Sequence, residues 1–228
     1  MSAPALGTPA RGEGSAPWRL ARFLRSTLGK LFLRVYRTRF LGEENVPSEG
    51  GYIIAGNHLS YLDPMLLWCG APRPTHFLAR AELFSAPFLR WLLPRVWCLP
   101  ISRASADREG IQRATALLKR GECVGIFPEG TRQVVGESGE ATLGEAHAGV
   151  AFIAMRAGVP VVPVGLWGTQ YALPRGAKIP RFPRVTIRYG EPVQPEAFAE
   201  YDRQERMQAM TAEIMRRVAR ARDQAEKE

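Results

Sequence analysis

Six short apolar runs, separated by stretches long enough for helices, constrain the fold of this chain more than any other feature. They are 51–56 (GYIIAG), 75–80 (THFLAR), 96–101 (VWCLPI), 122–127 (ECVGIF), 160–166 (PVVPVGL) and 184–190 (RVTIRYG). Their length and bounding residues read as strands. Between them, helices are expected at 63–70, 86–93, 107–120 and 143–157, followed by a charged amphipathic helix at 203–226. Asp107 and Asp202 stand where N-caps belong. Strands alternating with helices predict an α/β fold, a mixed sheet flanked by helices. In such folds the chemistry sits on loops beyond the strand ends.

The charge is unevenly placed. Of a net +9, residues 1–41 hold +7, leaving the rest of the chain close to neutral. Residues 1–17 are rich in Ala, Gly, Pro and Ser and read as a disordered tail. Within 18–41 the stretch WRLARFLRSTLGKLFLRVYRTRF has seven Arg or Lys and no acid. On a helical wheel Arg19, Arg22, Lys30, Arg34 and Arg37 share one side, opposite Leu20, Leu24, Leu28, Leu31, Phe32 and Val35.

Such a segment reads as an amphipathic element for an anionic membrane surface, or as a helix or helix pair packed on its own domain with a basic face in water. Nucleic acid is not expected, because no binding motif accompanies the charge. No apolar run reaches the roughly 18 residues of a membrane span. Cys69, Cys98 and Cys123 are odd in number and far apart, which predicts reduced thiols, no disulfide frame and no metal site. With no signal peptide's uncharged core at the N-terminus, the expected location is cytoplasmic.

Three strand ends carry polar residues that packing does not require: NHLSYLD after YIIAG, SRASADRE after CLPI, and PEGTR after VGIF. In the first, His58 and Asp63 are five positions apart. A helix would turn them roughly 140° from each other, and a strand would place them on opposite faces. Only a strand that stops at Asn57, turns, and opens a helix near Asp63 brings them together. Pro64 suits the first helical position, so Asp63 is also a candidate helix N-cap, and its two oxygens allow both roles.

If one sheet edge gathers these loops, His58, Asp63, Arg103, Glu129 and Arg132 face a common cleft. Imidazole is the side chain suited to accepting a proton near neutrality, and a carboxylate at its other nitrogen fixes the tautomer. Two arginines would hold a phosphate. Together they describe a base acting on a phosphorylated alcohol. No GxSxG, GxxxxGK[ST] or GxGxxG is present. His76 and His147 lack a ligand-spaced partner and read as structural.

NHLSYLD has the form NHxxxxD, with FPEGTR about 70 positions later. With VPSEGGYIIAGNH, FLARAELF, LPISR and AGVPVVPVGLWGT in order, residues 41–192 resemble the glycerolipid acyltransferase family, typified by 1-acyl-sn-glycerol-3-phosphate (lysophosphatidic acid) acyltransferases of the PlsC type. The resemblance implies an acyltransferase domain over 42–228, with His58 as general base and Asp63 as its orienting partner. It implies that Arg103, Glu129, Gly130 and Arg132 bind the glycerol phosphate of lysophosphatidic acid, and that the VPVVPV strand supports the site. The acyl donor would be acyl-CoA or acyl carrier protein, with no other cofactor, and the product phosphatidic acid. The place implied is peripheral, on the cytoplasmic face of the membrane.

One departure bears on the acceptor. Family members often carry a Lys-Gly pair after FPEGTR, where this chain has Ala148 before Gly149. Another lysolipid or polyol acceptor, or an inactive peripheral lipid-binding protein, are the alternatives that follow.

Overall fold

The computed structural model describes residues 16–101, 108–132, 148–172 and 179–228. Seven strands form one sheet: β1 (Arg39–Leu41), β2 (Tyr52–Gly56), β3 (Thr75–Arg80), β4 (Cys98–Ile101), β5 (Cys123–Ile126), β6 (Val161–Trp167) and β7 (Thr186–Tyr189). Their order is β1-β7-β6-β2-β5-β3-β4. Strands β6, β2, β5, β3 and β4 run parallel, whereas β7 is antiparallel to β6 and β1 follows β7, so the sheet is mixed as expected. The central strand β2 is buried at every position, which matches its uninterrupted apolar sequence. The helices are α1 (Ala16–Leu24), α2 (Lys30–Val35), α3 (Asp63–Gly70), α4 (Pro87–Leu92), α5 (Arg108–Lys119), α6 (Gly149–Ala157), α7 (Thr169–Ala172) and α8 (Arg203–Glu226).

Two cores result, one on each face of the sheet. On the first face α1, α2 and α3 cover Tyr52, Ile54, Phe77, Val164 and Ile187. On the second, α5, α6 and α8 cover Ile53, Ala55, Val124 and Val161. Helix α8 places Met210, Ile214, Val218, Ala221 and Ala225 inward at helical spacing. It lies so close to β6 that a Cβ on Gly165 would stand 2.1 Å from the Arg222 nitrogen. Asp202 caps α8 as expected, accepting from the N–H groups of Gln204 and Glu205. Asp107 and His147 lie outside the described residues, as does the start of the helix expected at 143–157.

The N-terminal segment departs from the wheel. A π-helical turn, Arg25–Gly29, joins α1 to α2. Ala21, Arg25, Gly29 and Leu33 recur every fourth residue, and the wider turn keeps that stripe inward, with Arg25 and Gly29 against the C-terminal end of α3. Ala21 and Tyr36 are buried, and Leu24 and Phe32 pack on the same core. The Arg25 guanidinium donates to the carbonyls of Cys69 (3.2 Å) and Ala71, which close the C-terminal end of α3. Leu28, Leu31 and Val35, expected beside Leu24 and Phe32, are instead exposed, together with Phe23. Arg19, Arg22, Lys30, Arg34 and Arg37 are exposed as the wheel has them. Among the described residues, no helix is long and apolar enough to cross a membrane.

Candidate active site

The parallel arrangement of β2, β5, β3 and β4 puts their carboxyl ends on one edge, so the loops after β2 and β5 lie side by side. Asn57 ends β2 and takes the place of a further strand residue. Its Oδ1 accepts from the Leu166 N–H (2.8 Å) and its Nδ2 donates to the Leu166 carbonyl (3.1 Å), with the side chain wholly buried. The first residue of NHxxxxD therefore locks the loop to β6, the strand of the VPVVPV sequence.

The turn from Asn57 to Asp63 brings the imidazole and carboxylate together. Asp63 Oδ2 accepts from His58 Nδ1 (2.9 Å), from the Leu59 N–H (2.7 Å) and from the Ser60 N–H (2.7 Å). The helix begins at Asp63 itself, with Pro64 in its first turn. This corrects the N-cap expectation: the carboxylate binds the turn before the helix, not N–H groups within it. An ionised carboxylate only accepts, so Nδ1 carries the proton and Nε2 is left as the basic nitrogen. The Phe127 ring stacks on the imidazole at 4.3 Å and fixes its plane. The His58 side chain keeps 16% exposure, against none for Asp63, so one edge of the ring stays open.

The loop after β5 closes the other side. Gly130 takes φ +63°, a left-handed turn that glycine adopts without strain. Glu129 is buried, and its Oε1 accepts from the backbone N–H of His58 (3.3 Å). The carboxylate thus clamps the histidine loop. The Arg132 guanidinium lies 3.5 Å from the centroid of the Tyr61 ring, bridging the two loops by a cation–π contact. Arg80, at the end of β3, donates to the Gly130 carbonyl at 3.2 Å.

Of the residues expected at the site, His58, Asp63, Glu129, Gly130 and Arg132 come together. Arg103 lies outside the described residues, although β4, two positions before it, ends on the same edge. Sequence reasoning missed Arg80 and Tyr61. Arg80 carries one signal, the polar end of a strand that terminates at this edge; Tyr61 carries none, since its partner is 71 positions away. His76 sits at the opposite edge, where its Nε2 meets Glu122 Oε2 at 2.7 Å in a buried pair. Burial alone would raise the Glu122 carboxyl, but the hydrogen bond and charge of His76, with Arg120, bring it below its ordinary value.

A family model described as Acyltransferase matches residues 37–167. The 1-acyl-sn-glycerol-3-phosphate acyltransferase of Bacillus subtilis (strain 168) is 30% identical over 177 residues, 77% of this chain and 83% of that protein. The lyso-ornithine lipid O-acyltransferase of Pseudomonas aeruginosa is 40% identical over 111 residues, 48% of this chain and 40% of that protein. The crystal structure of the 1-acyl-sn-glycerophosphate (LPA) acyltransferase PlsC from Thermotoga maritima shares the fold, with a TM-score of 0.66, 24% identity, and coverage of 89% of this chain and 82% of that one. Matched over more than half its length by that family model, the chain belongs to the acyltransferase family.

Proposed function

We propose that the protein acylates the sn-2 hydroxyl of 1-acyl-glycerol-3-phosphate, using an acyl thioester, acyl-CoA or acyl carrier protein, and releases phosphatidic acid. The 2.9 Å contact of His58 Nδ1 with Asp63 Oδ2 carries the reading, because it leaves Nε2 unprotonated at the open edge of the ring. Nε2 takes the proton of the acceptor hydroxyl as its oxygen attacks the thioester carbonyl. Asp63 stabilises the imidazolium. The C–S bond then breaks, and the leaving thiolate recovers the proton from His58. Direct transfer is favoured over an acyl-enzyme, since the serine of the same loop, Ser60, is wholly buried and accepts from the Leu62 N–H.

Arg132 and Arg80, with Arg103, are the cations for the acceptor phosphate. Arg132 is presented by Tyr61 and Arg80 by the Gly130 carbonyl. Glu129 acts through His58, not on phosphate, because a second negative charge there would repel the ligand. The exposed basic and apolar residues of α1 and α2 lie against the anionic membrane that holds acceptor and product. The side proposed is the cytoplasmic face, where reduced cysteines such as Cys69, Cys98 and Cys123 are usual.

A second reading differs only in the acceptor. Ala148 stands where a lysine is common, and the Pseudomonas aeruginosa relative is named for a lyso-ornithine lipid. Purified protein, given acyl-CoA and either lysophosphatidate or lyso-ornithine lipid, separates the two by thiol release and product mass. The first reading expects faster turnover of lysophosphatidate. Turnover of the ornithine lipid alone would replace it with the second, and no acylated product from any lysolipid would overturn both.

A further inference from the structure

The connection from β3 to β4 carries an apolar surface that neither the core nor the catalytic loops use. Phe88 and Trp91 of α4 are 66% and 50% exposed, and Leu83 just before it is 40% exposed. The Phe88 and Trp91 rings stack at 6.4 Å, and the Arg95 guanidinium lies 4.5 Å over Trp91. Pro87 opens α4 and Pro94 sits in the 3₁₀ turn Leu93–Val96 that follows, so a short, stiff element presents the pair. Arg90 is exposed on the same helix. Across residues 83–106 there are three arginines and no acid.

The placement of α4 follows from topology. The steps from β2 to β3 and from β3 to β4 move the same way along the sheet, so right-handed connections put α4 on the face of α3. Helix α1 packs against the turn that follows α4. Phe23, Leu28 and Leu31, Met65 of α3, and Phe88 and Trp91 therefore share one face, the face on which His58 rests against Phe127.

We infer that α4 is a second membrane-contacting element, whose Phe88 and Trp91 enter the interfacial zone of an anionic bilayer while Arg90 and Arg95 meet lipid phosphates. Aromatic rings flanked by arginine suit the headgroup boundary, where the ring is half apolar and half wet. Charge selects the occupant: a second copy of this chain, net +9, would bring like charge to Arg90 and Arg95, which α4 and its following turn present with no acid of their own, whereas anionic lipid neutralises them. The inference rests on the membrane reading of α1 and α2 and adds to it. One helix on a surface fixes depth, and two separated contacts fix tilt, which holds the His58 loop toward the lipid.

The test uses the full chain with vesicles of phosphatidylcholine and phosphatidylglycerol. Phe88→Ser with Trp91→Ser should partition onto them roughly tenfold less than wild type. In wild type, tryptophan emission should be quenched by lipids brominated along the acyl chain, and Trp91→Phe should lose much of that quenching. Unchanged partitioning of the double variant, or undiminished quenching in Trp91→Phe, overturns the inference. So does loss of self-association in the double variant with vesicle binding intact, which would make the face a contact between copies. Both side chains are exposed, so unfolding temperature should hold, and if the double variant misfolds the quenching result decides alone. Turnover of a short-chain, monomerically dispersed lysophosphatidate should equal wild type. Absence of that turnover in wild type would overturn the proposed acceptor while leaving the vesicle result to stand or fall by itself.

Discussion

On one face of the sheet α5, α6 and α8 leave no large apolar side chain exposed among the described residues; on the other, α1 to α4 expose Phe23, Leu28, Leu31, Val35, Met65, Phe88 and Trp91. Both faces bury a full core. The difference lies in the outer surface, where α8 carries Glu205, Arg216, Arg220 and Asp223, and the first face mixes apolar residues with Arg19, Arg22, Lys30 and Arg34 on a segment, residues 16–35, that has no acid. A surface meant for water mixes both signs of charge; one meant for lipid leaves apolar groups bare and keeps one sign. On the proposed function, the site at the carboxyl edge of the strands works beside the second kind of surface. The closed face supplies stability, and in the proposed function the open face brings the acceptor to the base.

The comparison predicts that damage to the two faces will look different. The largest effect is expected from Gly165→Val, which drives a side chain into the α8 backbone 2.1 Å away and should cost about 3 kcal/mol or more, read by urea unfolding. Vesicle affinity per folded molecule should not change; a fall would mean that the closed face also meets lipid. Next, Arg25→Ala removes the donor to the Cys69 and Ala71 carbonyls and should cost about 2 kcal/mol. Amide exchange should speed in α1 and α2 before the sheet. Equal protection throughout would mean that the helix is held by its apolar contacts alone.

Smaller still, Tyr61→Ala should raise the acceptor KM about fivefold and spare the donor KM, since a cation–π contact is worth about 1 kcal/mol. Tyr61→Phe should restore it, and an unchanged KM in the alanine variant would free Arg132 from this support. The smallest effect belongs to the outer surface of α8. Hydrogen bonds and charge from Arg216 and Arg217 hold the Glu213 carboxyl at about 2, below its ordinary 4.5. A depressed carboxyl stabilises the fold above its unfolded value and loses that contribution as pH falls through the folded one. The gap in unfolding temperature between wild type and Glu213→Gln should thus be constant above about pH 5 and close toward pH 2. A gap unaffected by acid would assign it to packing.

Much of this fold was legible before any coordinates. Strand β3 and helices α3 and α8 begin and end where the sequence pattern puts them, and of the two helices only α8 has its expected cap, Asp202. The run at 96–101 was shortened, because Leu93–Val96 forms a 3₁₀ turn and Trp97 takes φ +59°, so β4 starts only at Cys98. Strand β1 went unread: three residues inside a basic stretch give no alternation to detect. The π turn is likewise invisible to a wheel of fixed pitch, and it decides which leucines face out.

At the site, the His58–Asp63 contact could be derived because both residues belong to one turn. The clamp of Glu129 on the His58 N–H, the Asn57 link to Leu166 and the stacking of Arg132 on Tyr61 join residues 71 or more positions apart. Only strand order brings those loops together, and strand order has no local code.

The claim at the centre is that His58 acts as the base and Asp63 makes it one. The most direct measurement is the rate of thiol release from acyl-CoA with saturating lysophosphatidate, for wild type and His58→Ala at equal folded concentration. The account predicts a loss of about 10²- to 10⁴-fold, with circular dichroism and vesicle binding unchanged. A folded His58→Ala variant that releases thiol at the wild-type rate would contradict it.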